Sequence, residues 1–285
     1  MTENRHVRKL GLFVLTIIFA VAGFIAPVFA DKDSINIVYV PYGDKEATLE
    51  KYRPLTEHLE KSLGVDVKAV SADTSDQVLM MLRKGEFDVA CLSPMTYVEA
   101  SSMANLEVVA MEKYLDNKEG YHSILITKKD YDPNKQEKVL AFTNPHSTSG
   151  YLMPLYYFHA VLKTSPDEFA SKIEFTGDHQ SLIQGVKEGK YDIGATNDVD
   201  FDLYLESKGV KEEDFKVLWK SEAIPGSPVC VRPDLDEKTK KKIKDAVFAI
   251  NQEKKALEKL NVKSYVPATP DDYEIMFKLK TAIPH

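Results

Sequence analysis

The stretch Thr143-Asn144-Pro145-His146-Ser147-Thr148-Ser149-Gly150-Tyr151 holds the residues best placed to hold a ligand. Asn144-Pro145 reads as a turn, because proline fixes its own φ and pushes its predecessor out of the helical region. Ser147, Thr148 and Ser149 then fall at the start of an apolar helical run, Tyr151 to Leu162. Helix starts leave backbone N–H groups without intrahelical partners and carry partial positive charge. Hydroxyls beside those N–H groups make an oxyanion cradle that needs no lysine or arginine. Gly150 leaves room for a close approach. An ordinary capped helix uses the same residue types, so the rest of the chain must decide between the two.

Further polar residues sit just after strand-like runs. His179 opens a helix after Gly177-Asp178, where its ring can donate to an anion. Asp198 and Asp200 follow the run Tyr191 to Ala195, and Tyr42, Ser93 and Thr96 follow strands earlier in the chain. In α/β sheets such positions line the ligand edge. Ser149, His179 and Asp198 could form a nucleophile, base and orienter, but no G-x-S-x-G elbow is present. The seven histidines are scattered and neither cysteine has a near partner, so zinc-type spacing is absent. Neither a P-loop nor G-x-G-x-x-G occurs, so no cofactor is implied.

The elements that must position these groups alternate strand and helix. The reading gives strands over 34–40, 65–70, 87–92, 106–111 and 123–127, with helices over 49–63, 76–84 and 95–103 between the earlier ones. Pro54 should kink the first helix or mark its true first turn. A second series comes next: strands over 139–142, 173–175, 191–195 and 215–219, helices over 151–162, 179–188 and 199–207. A short strand over 229–231, one long helix over 236–257 and a last helix over 271–279 complete the chain. This is an α/β pattern of two lobes with largely parallel sheets. Residues 31–126 and 222–285 should form one lobe and 127–221 the other, with the ligand cleft between them and hinges near Lys128 and Ser221–Gly226.

The first 30 residues differ from the rest. Arg5, Arg8 and Lys9 precede an apolar run from Leu10 to Ile25, and Val28-Phe29-Ala30 supplies small residues before Asp31. This reads as a secretory signal peptide cleaved after Ala30, which implies export to the periplasm. The segment holds Glu3 against three bases, a net +2, so its removal takes the chain from −7 to −9. Such a chain is a poor general binder of nucleic acid, and an anion must be held by local dipoles. Export would permit Cys91 and Cys230 to pair, but both lie in apolar runs that suit buried thiols equally well.

With these residues in place, the sequence resembles the periplasmic solute-binding proteins of phosphonate and phosphite importers of the ATP-binding-cassette type. The matching segments are Gly120-Tyr121-His122-Ser123, Asn144 to Tyr151, Gly177-Asp178-His179, Ala195-Thr196-Asn197-Asp198, and Trp219-Lys220-Ser221 with Ile224-Pro225-Gly226-Ser227-Pro228. They run in the family's order over most of the mature chain. The resemblance implies a two-lobe periplasmic-binding-protein clamshell of the type II arrangement. It would be a non-enzymatic, monomeric receptor that takes a small phosphorus oxyanion to the importer's membrane permease subunits. It places Ser147, Thr148, Ser149 and His179 on the oxyanion and Tyr121 on the ligand. Family members that bind aminoalkyl phosphonates carry an aromatic residue at Leu92 and an acid at Ser227, which leaves Asp200 as the one acidic candidate for an ammonium. Phosphite, phosphate, methylphosphonate and other small anions stay open. The same clamshell could serve as the input of a membrane sensor kinase or chemoreceptor, and a secreted hydrolase on Ser149 and His179 is the third reading.

Overall fold

The computed structural model describes residues 34–114 and 120–282. The signal segment and its cleavage point lie outside the described residues. The chain begins with β1 (Ser34–Tyr39), α1 (Lys45–Leu63), β2 (Asp66–Ser71), α2 (Ser75–Lys84), β3 (Val89–Cys91), α3 (Pro94–Ser101) and β4 (Glu107–Lys113). It then forms β5 (Ser123–Lys128), β6 (Val139–Phe142), α4 (Met153–Tyr156), α5 (Pro166–Phe169), β7 (Lys172–Phe175), α6 (His179–Glu188), β8 (Ile193–Asn197), α7 (Asp198–Lys208) and β9 (Phe215–Lys220). It ends with β10 (Pro228–Val231), α8 (Glu237–Ala249), α9 (Lys254–Leu260), β11 (Ser264–Val266) and α10 (Glu274–Ala282).

Two sheets result, in the orders β11-β4-β10-β3-β1-β2 and β7-β6-β8-β5-β9. Each is mixed rather than largely parallel. In the first, β1 runs parallel to β2 and β3, and β10 lies antiparallel between β3 and β4. In the second, β6 runs parallel to β7 and β8, and β5 lies antiparallel between β8 and β9. The reversed strands, β5 and β10, are the first that the chain forms after changing sheet. Helices cover both faces of the first sheet. Side chains from α1, α8 and α9 pack with Ile37 and Val89 on one face, and side chains from α2, α3 and α10 pack with Val38 and Ala90 on the other.

Three expectations change here. The expected lobe boundary at residue 126 falls inside β5, which pairs in the second sheet, and the hinge expected at Lys128 is the end of that strand. The strand pattern alone could not say which sheet would take it. The first crossing therefore lies between Lys113 and Ser123, and the second between Lys220 and Pro228. The long helix expected over 236–257 ends at Ala249 and restarts at Lys254. His58 Nε2 takes the Ala246 carbonyl at 2.8 Å, the acceptor a continuing helix would give to Ile250, and Asn251 clasps the N–H and C=O of Tyr265 in β11 instead. Helix α1 runs from its Asp44 cap straight through Pro54.

Cys91 and Cys230 are free and buried. They lie on paired strands, but Cys91 faces Val229 and Cys230 faces Ala90, so the thiols point to opposite faces of the sheet. Burial pushes both thiols up.

The two crossings touch along their backbones. The Tyr121 and Ile224 N–H groups donate to each other's carbonyls at 2.9 and 2.7 Å, and Glu112 N–H donates to Ser227 O at 2.9 Å. Two glycines permit this. A Cβ on Gly120 would stand 2.0 Å from the Ile224 carbonyl oxygen, and one on Gly226 would stand 1.7 Å from that of Glu112. We predict that Gly120→Ala and Gly226→Ala each destabilise the protein by at least about 2 kcal/mol in urea unfolding, because backbone cannot yield as a flexible side chain does. Gly64→Asn, in left-handed but open space, should cost less than about 1 kcal/mol. Equal losses at the three positions would refute the close-approach account.

Candidate functional site

A cavity of about 120 Å³ lies between the sheets. At about 30 Å³ per water that is room for roughly four waters, so it suits a small ligand. Its walls are the carboxyl ends of strands and the loops next to them. The second sheet contributes Thr143 to Ser149, Gly177 to His179, and Asn197 with Asp200. The first contributes Tyr42, Ser93, Glu112 and Tyr114, and the crossings contribute Tyr121 and Ser227.

The hydroxyl run starts a helix, as its sequence predicts, but the helix is unusual. Thr148–Leu152 and Tyr157–Leu162 are wound as π-helix on either side of α4. Pro154 has no N–H for the Gly150 carbonyl, which accepts from Thr143 N–H at 3.2 Å instead; the Ser149 carbonyl accepts from Ser123 Oγ at 2.6 Å. With those acceptors engaged elsewhere, Met153 N–H reaches back to Thr148 O, widening the turn. Gly150 is needed for the chain itself rather than for a ligand: a Cβ there would stand 2.0 Å from Thr143 Oγ1.

The hydroxyls divide their work. Ser147 Oγ caps the turn by accepting from Gly150 N–H at 2.9 Å, and as a hydroxyl it keeps a proton to donate. Thr148 Oγ1 accepts from Met95 N–H of the first lobe at 3.0 Å, so it joins the lobes as well as lining the cleft. Ser149 lies beside Asn197 Nδ2 at 3.5 Å and lines the cavity together with Tyr121. Thr143 Oγ1 is buried with no hydrogen-bond partner among the described residues. Such an atom on a cavity wall is what a bound polar ligand would satisfy.

His179 and Asn197 complete this end. Asp178 caps α6 by accepting from Ser181 N–H, and Asn197 caps α7 by accepting from Asp200 N–H, both at 2.8 Å. Together with the turn at Ser147, these caps bring three helix starts to one cavity. Burial holds His179 below the ordinary imidazole value, with Lys51 acting in the same direction and Asp200 against it. The ring is therefore neutral near pH 7. Its Nδ1 lies 2.9 Å from Thr196 Oγ1.

The other end of the cleft is ionic. Tyr42 donates its hydroxyl to Asp200 Oδ1 at 2.8 Å across the lobes, and Asn197 Nδ2 donates to Oδ2 at 2.7 Å. Burial disfavours the Asp200 charge, but His179, Lys51 and these two donors outweigh it and hold the carboxyl low. Burial holds both basic side chains there, His179 and Lys51, below their ordinary values. Glu112 takes Tyr114 Oη at 2.6 Å and Tyr265 Oη at 3.3 Å, and burial raises it. Ser227 Oγ is 2.7 Å from Tyr114 Oη.

Two expected residues fall outside the cavity wall. Thr96 is fully buried, its Oγ1 2.8 Å from Ser93 Oγ; it holds Ser93 in place as the α3 cap. Asp198 accepts from His122 N–H at 2.9 Å and from Lys220 Nζ at 3.1 Å, so it braces the crossings. Lys51, Glu112, Tyr114 and Thr143 line the cavity without having been singled out as ligand contacts in the sequence. Thr143 and Glu112 each follow an expected strand directly, which is a local signal; Lys51 carried none.

Fold and cleft define a two-lobe α/β solute-binding protein. The chain belongs to the family described as "ABC transporter, phosphonate, periplasmic substrate-binding protein", which it matches over residues 37–273. It is 30% identical over 270 residues to the phosphonates-binding periplasmic protein of Escherichia coli (strain K12), covering 90% of this chain and 79% of that protein. It is 22% identical to a probable ABC transporter phosphite binding protein of Prochlorococcus marinus (strain MIT 9301), covering 93% and 94% of the two chains. The crystal structure of a binding protein component of an ABC phosphonate transporter from Pseudomonas aeruginosa superposes with a TM-score of 0.77. That match covers 88% of this chain and 86% of the other at 24% identity, and so attests the shared fold.

His146 of the second lobe faces two acids of the first. Its Nδ1 lies 3.4 Å from Glu99 Oε2 and its Nε2 3.4 Å from Asp76 Oδ1. The Glu99 hydrogen bond, with Asp76 adding to it, raises the imidazole above its ordinary value against the effect of burial. A raised histidine stabilises fully below its unfolded value of about 6.5 and loses that contribution as pH rises through the raised value. We predict that His146→Gln costs about 0.5–1 kcal/mol in thermal unfolding at acidic pH and nothing at alkaline pH, the scale of a partly exposed pair. A cost that grows with pH would show that the ring acts as a neutral group.

Proposed function

We propose that this protein is an extracytoplasmic solute receptor that captures a small phosphorus oxyanion and hands it to the permease subunits of an ABC importer. The observation that carries this is the convergence of three helix starts on one small cavity, with the Thr143 hydroxyl buried there and unpartnered among the described residues. Neutral donors hold the anion: Ser147 and Ser149 hydroxyls, the N–H groups of the first turn, and His179 through Nε2. Tyr121 and Ser93 close on it from the hinge and the first lobe. Thr148 locks the two lobes around it through Met95. Tyr42, Asp200 and Ser227 shape the end where the oxyanion's substituent lies. The role needs capture and release, with no covalent step.

In this reading the first 30 residues are a signal peptide removed after Ala30, and the mature protein is a periplasmic monomer. The lobes are built one on each sheet and close by bending at the paired crossings. Contacts from both lobes are complete only when they approach, so the ligand's affinity drives closure. The membrane subunits would read the closed shape.

Titration calorimetry with methylphosphonate, phosphite and phosphate tests the site. Ser147→Ala and Ser149→Ala should each weaken the tightest of these by about 1–3 kcal/mol, the cost of removing a donor to a charged acceptor. Wild-type affinity in both variants would sink the assignment of the anion to this turn. Small-angle scattering tests closure: the radius of gyration should fall on saturation with the same ligand, and an unchanged value in a protein that binds would mean a preformed pocket.

A further inference from the structure

Lys51 reaches the cavity from the first lobe. It sits in the second turn of α1, and its Nζ lies 3.3 Å from the centroid of the Tyr42 ring and 5.5 Å from that of Tyr52. The Tyr42 hydroxyl is fixed by Asp200 from the opposite lobe. Burial holds the Lys51 ammonium below its ordinary value, with Asp200 and Glu112 acting against that effect. All four of Tyr42, Lys51, Asp200 and Glu112 line the same cavity. An aromatic face with two carboxylates is the set of groups that recognises an alkylammonium. In this chain the ammonium present there belongs to the chain itself.

We propose that Lys51 determines specificity: its ammonium takes the cation position of the cleft, so the protein accepts phosphorus oxyanions with a small uncharged substituent and rejects aminoalkyl phosphonates. This rests on the phosphorus-oxyanion function proposed for the same cleft. A ligand ammonium entering the cavity would compete with Lys51 for the same two acids. The two ammonium groups would then stand side by side in a desolvated site, and that is where like charges cost most. Lys51 cannot retreat easily, because its stem is fixed on a helix whose Tyr52 and Leu55 are buried in the first-lobe core. Taking the lysine away would leave Asp200 and Glu112 as two carboxylates facing a vacated aromatic wall, a place that now favours a ligand cation. Rejection by an occupied cation position is specificity by repulsion as well as by fit.

The test is calorimetry on the mature protein with methylphosphonate, phosphite, phosphate and aminoethylphosphonate. Wild type should prefer methylphosphonate over aminoethylphosphonate by about tenfold or more. Lys51→Met, which keeps the stem and removes the charge, should shift that ratio toward the amine by about tenfold or more, and Lys51→Arg should hold the wild-type ratio. Adding Asp200→Asn to Lys51→Met should cancel the gain. Equal wild-type affinity for the two phosphonates overturns the inference even if no variant folds, and so does an unshifted ratio in Lys51→Met. If wild type binds none of these anions, the proposed function fails and this inference falls with it; if it binds methylphosphonate but the ratio does not move, only this inference fails.

Discussion

Everything in the cleft depends on the described residues of the two crossings lying within backbone contact of each other. Tyr121 and Ile224 exchange hydrogen bonds, Ser221 N–H donates to Ser123 O at 2.9 Å, and Glu112 N–H donates to Ser227 O. Three of these residues, Tyr121, Glu112 and Ser227, also line the cavity. The crossings are thus part of the cavity wall. Asp198 strengthens the arrangement by binding the His122 backbone and the Lys220 ammonium from the start of α7. An acid that looks like a ligand contact in one dimension is a brace in three.

The second constraint is electrostatic. The chain is net acidic, at −7 over its full length, and three acidic residues, Glu112, Asp178 and Asp200, line its cavity. An anion can be held there only if its own end of the cleft is lined by donors and the acids are answered elsewhere. The structure meets both conditions. Donors from three helix starts and a neutral His179 lie at one end, where they present N–H and O–H dipoles without a counter-charge to displace. At the other end Lys51 answers Asp200 and Glu112, and Tyr42 and Tyr114 donate to the same acids. The two sets of groups meet at the start of α7, where His179 Nε2 and Asp200 Oδ2 are 4.0 Å apart.

The lobes are held in register by contacts of several kinds. Thr148 with Met95, Tyr42 with Asp200 and His146 with Glu99 are polar pairs between the halves. Met153 and Trp219 of the second lobe pack with Tyr97, Tyr273 and Met276 of the first in one apolar cluster. The polar pairs surround the cavity and the apolar cluster lies beside it, so closure orders the ligand walls while burying surface.

Much of this was legible in one dimension. Periodicity and turn chemistry found nearly every strand and helix, and His179 to Glu188 has the bounds the pattern predicts. The hydroxyl run, His179 and Asp200 were marked by their positions after strands, since the turn at a strand's carboxyl end is decided by local sequence. Long-range pairing decided the rest. The membership of β5 in the second sheet depends on β8 and β9, which lie about 70 and 90 residues further on by strand register. The break before α9 comes from His58 and from β11, neither local to it. Glu112 and Lys51 look like solvated charges on a strand and a helix, and their burial against each other's field exists only when the first lobe is folded. Asp198 and Asp200, two residues apart, take opposite duties because the first turn of a helix points successive side chains in different directions. Sequence spacing fixed which residues stand at the cleft's edge; packing alone decided which of them face into it.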